Sequence, residues 1–507
     1  MNYIIAHDVG KQSNKAVLIG TDGNVYDSFE EGYDMTFPKP GWVEQDPEDY
    51  WDAICVTTRQ IAGRLDKKDQ VLAMVFSTQA MGIIPVDKKG SLLYKNISWV
   101  DARAGNQAEK IMKQFLGKVV FKKITGVAIS GKDVTPKLLW LKEQLPKIYK
   151  NTHKFLDVNG YLKYKCTNKM MAEWSLASSY GFNLNRKDWD RTFFKIVGID
   201  ITKLPDLVRS TDLVGNLTEK AANELGFTTN VKIFGGSDDT QSAAMGSRQT
   251  NHHQAHIYLG SSACIGVSSQ KNYKFKNGVA SLQSANPKSN LLVGITESAG
   301  INVEWALNKL YKEEKETGVV IYKLMEKEVS EIPAGADNLI FIPWFHGERT
   351  PVTDVNVRST IFNLGLEHNR GHILCAMLEG IGYNLKWTID NIQRDYGIKI
   401  NEITVIGGDS QNDSWMQSLS DILQVKLHIT KNPKMDGAIE SAMTAFVGLG
   451  LESDFTKIKK FNPVSKSYHP RKDHKEVYQI MYKNYKVLYH SLKKAYYNIN
   501  SDRFNKN

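Results

Sequence analysis

Near the N-terminus an apolar run through Tyr3, Ile4, Ile5 and Ala6 ends at Asp8. A polar turn containing Gly10 follows, and then a second apolar run from Ala16 to Ile19. This pattern predicts strand, turn, strand. It is written again about half a chain later: Ala255 to Leu259 is apolar, Gly260-Ser261-Ser262 turns, and Ala263 to Val267 is apolar again. Two hairpins of one design imply two halves that each offer a turn to a shared ligand. Closely spaced backbone N–H groups in such turns suit phosphate oxygens. The first turn carries a carboxylate, which suits Mg²⁺ better than phosphate. The plainer reading is two ordinary hairpins in a mixed fold.

Between and beyond the hairpins, helical and extended patterns alternate. The Thr21-Asp22-Gly23-Asn24 turn leads into a strand over 25–28, a helix over 48–65 begins beside Pro47, and 71–77 reads as a strand. Residues 106–180 read as mostly helical. A short strand over 231–234 feeds Gly235-Gly236-Ser237-Asp238-Asp239, and a domain boundary is expected near 248–253. Helices are expected over 300–311, 323–332, 368–391, 415–424 and 437–449, with strands over 338–342 and 403–406.

A chain of 507 residues exceeds one hydrophobic core, so two α/β domains are expected, 1–248 and 249–507. Its 41% hydrophobic and 24% charged residues are ordinary for a globular chain. The opening residues lack a basic stretch followed by an apolar one, and no window is apolar enough to span a bilayer. Cys55, Cys166, Cys264 and Cys375 fit neither a zinc spacing nor a disulfide framework. A cytoplasmic location without membrane contact follows as the expectation. The net charge of +10 raises the possibility of nucleic acid. Much of the excess, however, lies in a lysine-rich tail where Tyr478, Met481, Tyr482, Tyr485 and Leu488 recur at helical spacing. That pattern predicts an amphipathic helix packed on the body, and no nucleic-acid motif accompanies it.

Several residues could carry chemistry. Asp8 ends a strand beside Gly10, where it could hold Mg²⁺ while the turn approaches phosphate. Asp239 follows a glycine pair and opens a helix, a place for a general base toward a substrate hydroxyl; Asp238 competes with it for that role and for the helix cap. Trp99, Asp101 and Arg103 alternate after a strand-like run and are expected on one face, as an apolar floor, a hydroxyl acceptor and its orienting cation. Gln79 can donate and accept toward a polyol. Gly407-Gly408 marks close approach of backbone to a ligand. Neither a Walker loop nor a protein-kinase glycine loop occurs.

Taken together, the segments resemble the FGGY family of carbohydrate kinases. They are Asp8-Val9-Gly10, Gly41-Trp42-Val43-Glu44-Gln45-Asp46-Pro47, Trp99-Val100-Asp101-Ala102-Arg103, Gly235-Gly236 with Asp239, Gly260-Ser261-Ser262, Gly347-Glu348-Arg349-Thr350-Pro351, Leu378-Glu379-Gly380 and Gly407-Gly408. The resemblance implies two duplicated ribonuclease-H-like domains of the actin-like ATPase class, with an interdomain active-site cleft. It implies ATP-dependent phosphorylation of a sugar hydroxyl, with Mg²⁺, Asp239 as catalytic base and Asp8 toward the metal. Gln79, Met81, Trp99, Asp101, Arg103 and Asp239 would hold the sugar; Gly10, Lys11, Gly260, Ser261, Gly407, Gly408 and Asn412 would hold the nucleotide. The substrate loop is most similar to that of xylulose-phosphorylating members, so the expected substrate is D-xylulose, phosphorylated at its 5-hydroxyl. The family usually has threonine at Lys11, histidine at Met81 and glycine at Asp409. Glu440 stands for a helix glycine, and is expected on the nucleotide side. These departures keep two alternatives open: a kinase for another substrate, such as ribulose, glycerol or gluconate, and a catalytically weak sugar or nucleotide sensor. A homodimer also stays open.

Overall fold

The computed structural model describes residues 1–115, 117, 121, 129–248, 252–316, 321–431 and 435–501. Residues 249–251 of the expected boundary at 248–253, and part of the 106–180 stretch, lie outside the described residues.

The first half is built on β1 (Asn2–Val9), β2 (Ser13–Gly20), β3 (Val25–Gly32), β4 (Gln70–Thr78), β5 (Leu213–Asn216) and β6 (Lys232–Phe234), in the sheet order β5-β6-β4-β1-β2-β3, with β7 (Ser237–Asp238) added beside β4. β1 is antiparallel to β2 and parallel to β4. It lies between them, so Ile4, Ile5 and Ala6 are all buried, and the strand reads as a continuous apolar run. Helix α1 (Pro47–Ala62) makes the crossover to β4. Asp46 caps it by accepting from the Glu48 N–H, Pro47 fills its first turn, and it buries Tyr50, Trp51, Ile54 and Ile61. It stops short of the expected 65 because Gly63 interrupts it.

The second half repeats this plan. β8 (Ala255–Leu259), β9 (Ala263–Ser269), β10 (Val279–Gln283), β11 (Asn290–Thr296), β12 (Glu402–Ile406), β13 (Lys426–Thr430) and β14 (Val464–Tyr468) lie in the order β10-β11-β9-β8-β12-β13-β14. β8 is antiparallel to β9 and parallel to β12, as β1 is to β2 and β4. An antiparallel edge strand closes each parallel run, β5 on β6 and β14 on β13. β10 is an addition to the repeated plan.

Helices join the halves by exchange. α2 (Asp239–Gly246) belongs to the first half, yet its Ala244 packs against Cys264, Leu291 and Val293 of the second sheet. Three helices of the second half follow in chain order: α3 (Gly300–Leu310), α4 (Arg370–Tyr396) and α5 (Asp413–Leu423). The next, α6 (Asp436–Gly448), sets Ala438, Ala442, Met443 and Phe446 against Ile4, Ala6, Val17 and Val75 of the first sheet. Burial of Met443 or Phe446 is worth ~1.5–3 kcal/mol each relative to exposure. The tail forms α7 (Lys475–Asn500), whose Tyr478, Met481, Tyr482, Tyr485 and Leu488 are buried, as their spacing predicts. Trp344 and Tyr383 belong to the same cluster. The four cysteines are free and buried. Among the described residues, no helix is long and apolar enough to cross a membrane.

Candidate active site

The C-terminal ends of the parallel strands bring the first wall together. Asp8 of β1 stands opposite Ser77 of β4, and Ser77 stands opposite Ser237 of β7. Adjacent strands lie ~4.8 Å apart, so Asp8 and Ser237 flank β4 at ~10 Å. The turn after Asp8 is closed by Gly10 N–H to Ser13 O at 3.0 Å. The Tyr33 hydroxyl pins it, sharing its one proton between Gly10 O, at 2.6 Å, and Ser13 O, at 2.8 Å. Gln45 Nε2 donates to Lys11 O at 2.9 Å, which fixes the next residue as well.

Between β6 and β7 the backbone breaks at the glycine pair. Gly236 has φ +74°, and a Cβ there would meet Phe76 O at 2.2 Å. The break delivers two adjacent aspartates with different surroundings. Asp238 is the cap of α2: its carboxylate accepts from the Thr240 N–H at 2.7 Å and the Gln241 N–H at 3.2 Å. Asp239 is the first helical residue and is half-buried, with Thr240 Oγ1 donating to it at 3.2 Å. Burial, then the Asp238 charge, then Asp8, hold its carboxyl well above the usual range. The competition between the two aspartates for the cap is therefore settled in favour of Asp238.

Burial also raises the Asp8 carboxyl. Its neighbouring cation, Lys15, opposes this but lies 3.9 Å from Glu30. A carboxylate with so little compensation suits a divalent cation, the donor that Mg²⁺ binding calls for. Among the described residues, no cluster of three metal-ligating side chains occurs. Mg²⁺ here would rely on Asp8, water and phosphate oxygens.

The opposite wall comes from the second half. The tip of the β8–β9 hairpin is held by the start of α3: Gly300 N–H donates to Gly260 O at 2.8 Å and Ala299 N–H to Ser261 O at 2.9 Å. Ser261 itself is exposed. After β12, Gly407 has φ +97° and a Cβ there would meet Leu259 O at 2.1 Å, whereas a Cβ at Gly408 would meet nothing within 4 Å. Gly407 is thus required by the fold and Gly408 leaves an open backbone surface. Asp409 lies beside Gly300, where an added Cβ would come 2.5 Å from its Oδ2. Asn412 is a helix cap, its Oδ1 accepting from the Trp415 N–H at 2.8 Å.

The two walls face each other. Asp239, Asp8 and Asp409 all raise the pKa of Tyr258, a residue of β8 that is 42% exposed, after burial does so first. A Cβ on Gly437, in the first turn of α6, would lie 3.8 Å from Asp8 Oδ2. Carboxylates of both halves thus lie near enough to Tyr258 to raise the pKa of its hydroxyl. Sequence reasoning missed this residue, whose only signal was a large polar aromatic next to the Gly260 turn. Two cavities, of about 250 and about 580 Å³, lie away from these residues, lined by Arg248, Glu402 and His428 and by Glu379, Gln417 and Arg471 respectively.

The expected sugar residues are only partly assembled. Gln79 is 2% exposed; its Nε2 donates to Gln45 Oε1 at 3.3 Å and to Tyr50 OH at 3.2 Å, and its Oε1 has no partner. Met81 is held at φ +59°, an uncommon conformation for a residue with a side chain. Its carbonyl accepts from the buried Lys137 Nζ at 3.2 Å, and burial lowers that amine to about 7. Trp99, Asp101 and Arg103 do not share one face. The strand there is only Asn96–Ile97, and the chain then turns, leaving Trp99 exposed and burying the other two. Asp101 accepts from the Val43 N–H at 2.5 Å, the Arg103 N–H at 2.9 Å and the Arg103 guanidinium at 2.7 Å. Arg103 also pairs with Glu44 at 2.8 Å and stacks on Trp42 at 3.8 Å. Both side chains are engaged within the protein, so the three residues do not present the single face that alternation predicts. Glu440 is also corrected: it is fully buried, and Ser237 Oγ of the first half donates to it at 3.1 Å. The face of α6 that carries it is turned into the first half.

The N-terminal domain of the FGGY family of carbohydrate kinases matches residues 3–246, and the C-terminal domain matches 255–449. Xylulose kinase of Staphylococcus xylosus is 28% identical over 473 residues, 93% of this chain and 95% of that protein. Gluconokinase of Bacillus subtilis (strain 168) is 26% identical over 469 residues, 92% of this chain and 90% of that protein. The crystal structure of ligand-bound xylulose kinase from Lactobacillus acidophilus superposes with a TM-score of 0.88 at 25% identity, covering 98% of this chain and 100% of that one. The chain belongs to the FGGY family of carbohydrate kinases, with the family's duplicated ribonuclease-H-like fold and its ATP-dependent phosphotransferase activity.

Proposed function

We propose that the chain transfers the γ-phosphoryl of ATP to the 5-hydroxyl of D-xylulose, in the space where Asp8, Asp239, Tyr258 and Asp409 converge. The observation that carries this reading is Asp239 itself: a half-buried carboxylate held at a helix start, with its neighbour Asp238 consumed by the cap. In this reading the first domain, 1–248, holds the sugar and the base, and the second, 249–507, holds the nucleotide.

Asp239 accepts the proton of the sugar hydroxyl as that oxygen attacks phosphorus. Its raised pKa makes it, once ionised, a stronger proton acceptor than an ordinary carboxylate. Mg²⁺, when bound, neutralises phosphate charge; Asp8 is the residue that would hold it, through water. Gly10 and Lys11 on one side, and Gly260, Ser261, Gly407 and Gly408 on the other, offer backbone to phosphates and nucleoside. Asn412 supports the second group as a helix cap. The unpartnered Oε1 of Gln79 accepts a sugar hydroxyl, and Trp99 offers an apolar surface. Asp101 and Arg103 hold that wall from behind.

The substrate choice rests on similarity to xylulose kinases. Gluconate is the second reading, favoured by the gluconokinase relative and by Met81, which replaces a directional imidazole with an apolar chain. The protein is read as cytoplasmic, with no nucleic-acid or membrane partner. ADP release with xylulose, ribulose, glycerol and gluconate tests the assignment. Xylulose should give a kcat/KM at least ~10-fold above the others, because a mismatched hydroxyl leaves a buried polar group unpaired. Gluconate winning by that margin would replace the substrate, and ATP binding without turnover on any of them would point to a sensor.

A further inference from the structure

Glu440 stands in α6 of the second half and is 0% exposed. Its partners are hydroxyls. Ser237 Oγ donates to Oε2 and Thr444 Oγ1 donates to Oε1, each at 3.1 Å. Ser237 and Ser242 are themselves joined, oxygen to oxygen, at 2.6 Å. Burial without a compensating cation pushes the Glu440 carboxyl up to about 7. A leucine would fill a similar volume without that desolvation cost, so an interior carboxylate here needs a reason beyond packing.

The reason lies in what its partners bracket. Ser237 opens β7, one residue before the capping Asp238 and two before Asp239. Ser242 lies one helical turn into α2, three residues after Asp239 and so on the same side of the helix. Glu440 therefore grips the strand-to-helix turn on both sides of the aspartate pair. The grip comes from the other half of the molecule. In the first turn of the same helix, a Cβ at Gly437 would be 3.8 Å from Asp8 Oδ2 and 3.9 Å from Ser242 Cβ. On the far side, the Asp238 N–H donates to Ser175 Oγ at 3.0 Å, so the turn is clamped from the first half as well.

We propose that Glu440 is a positioning residue for phosphoryl transfer: through Ser237 and Ser242 it orients the Asp238–Asp239 turn, and so makes the aim of Asp239 depend on how α6 of the second half is seated. This rests on the reading of Asp239 as the base. Because Glu440 touches neither sugar nor nucleotide in this role, its loss acts on the chemical step rather than on binding.

The test uses the full-length protein with the best sugar of the panel. Glu440→Gln keeps size and most hydrogen bonds while weakening acceptance from two hydroxyls. It should lower kcat by about tenfold and leave KM for ATP and for sugar within about twofold. Ser237→Ala should lower kcat similarly, and the double variant should fall no further than the larger single effect, since both break one linkage. A crystal structure of Glu440→Gln should show the Asp239 carboxylate displaced. The proposal is overturned if Glu440→Gln keeps kcat within twofold, or if the Glu440 and Ser237 effects multiply. A loss of thermal stability with unchanged kcat per folded enzyme also overturns it. Glu440→Leu serves as a second packing-preserving variant, with the same kcat loss expected. Asp239→Asn in the same assay separates the two ideas. If it is inactive while Glu440→Gln is fully active, only the positioning role fails; if it is fully active, the base assignment fails first.

Discussion

Asp238 caps the helix that Asp239 begins. One carboxylate accepts from the Thr240 N–H at 2.7 Å and the Gln241 N–H at 3.2 Å, while the next accepts from the Thr240 hydroxyl at 3.2 Å. Adjacent residues of one type are thereby given separate work. Asp238→Asn keeps an acceptor at the cap but loses its charge, and Asp238→Ala loses both. We expect Asp238→Ala to cost ~1 kcal/mol of stability, read as a lowered Tm. Asp238→Asn should fold nearly as well as the parent. An Asp238→Ala variant as stable as the parent would contradict the capping role.

The glycine pair after β12 divides in the same way. Gly407→Ala places a Cβ 2.1 Å from Leu259 O in a backbone with φ +97°, so it should destabilise the protein by more than ~2 kcal/mol. Gly408→Ala meets nothing in the protein. It should leave Tm unchanged and raise KM for ATP by ~10-fold, because the methyl occupies the surface offered to the nucleotide. Denaturation curves and ATP titrations measure both. Equal effects on stability would contradict the division.

Gln79 carries a sharper expectation about the sugar. Its Nε2 is engaged by Gln45 and Tyr50, and its Oε1 is buried without a partner. Gln79→Leu should lower kcat/KM for the sugar by ~10–10²-fold and leave KM for ATP unchanged. A matching loss for both substrates would show a damaged wall instead of a lost contact.

A pH-dependent term resides outside the site, at Glu348. Burial raises this carboxyl from 4.5 to about 8 despite N–H donors from Glu297 and Arg349 at 2.8 Å and from Asn384 at 2.9 Å. The folded state therefore holds a proton that the unfolded chain has released. Its contribution to stability is full below the ordinary glutamate range and is lost as pH rises toward 8. Glu348→Gln faces Asn384 with a second donor and should be less stable at low pH. Its Tm should nevertheless decline less than that of the parent between pH ~5 and ~8. Parallel Tm–pH curves would remove Glu348 as a source of the slope.

Much of this molecule is legible in its sequence, for local reasons. The two hairpins, the glycine break before Asp239 and the tyrosine stripe of the tail all follow from spacing and turn chemistry. What failed depended on contacts between distant segments. Asp101 and Arg103 were placed by assuming an extended segment, but the chain turns after Ile97 and Val43, Glu44 and Trp42 take up their bonds and faces. The direction of Glu440 depended on α6 crossing to the other half, a pairing that no local period encodes. Tyr258 is marked out only by its nearness to carboxylates on three segments of the chain.

In the proposed reaction Asp239 removes the proton from a sugar hydroxyl during transfer from ATP. Single-turnover and steady-state rates of Asp239→Asn, alongside nucleotide affinity, test it most directly. The kcat should fall ~10²–10⁴-fold with nucleotide affinity within about threefold of the parent, because proton transfer is lost and phosphate contacts are kept. Turnover within about threefold of the parent in Asp239→Asn would contradict it.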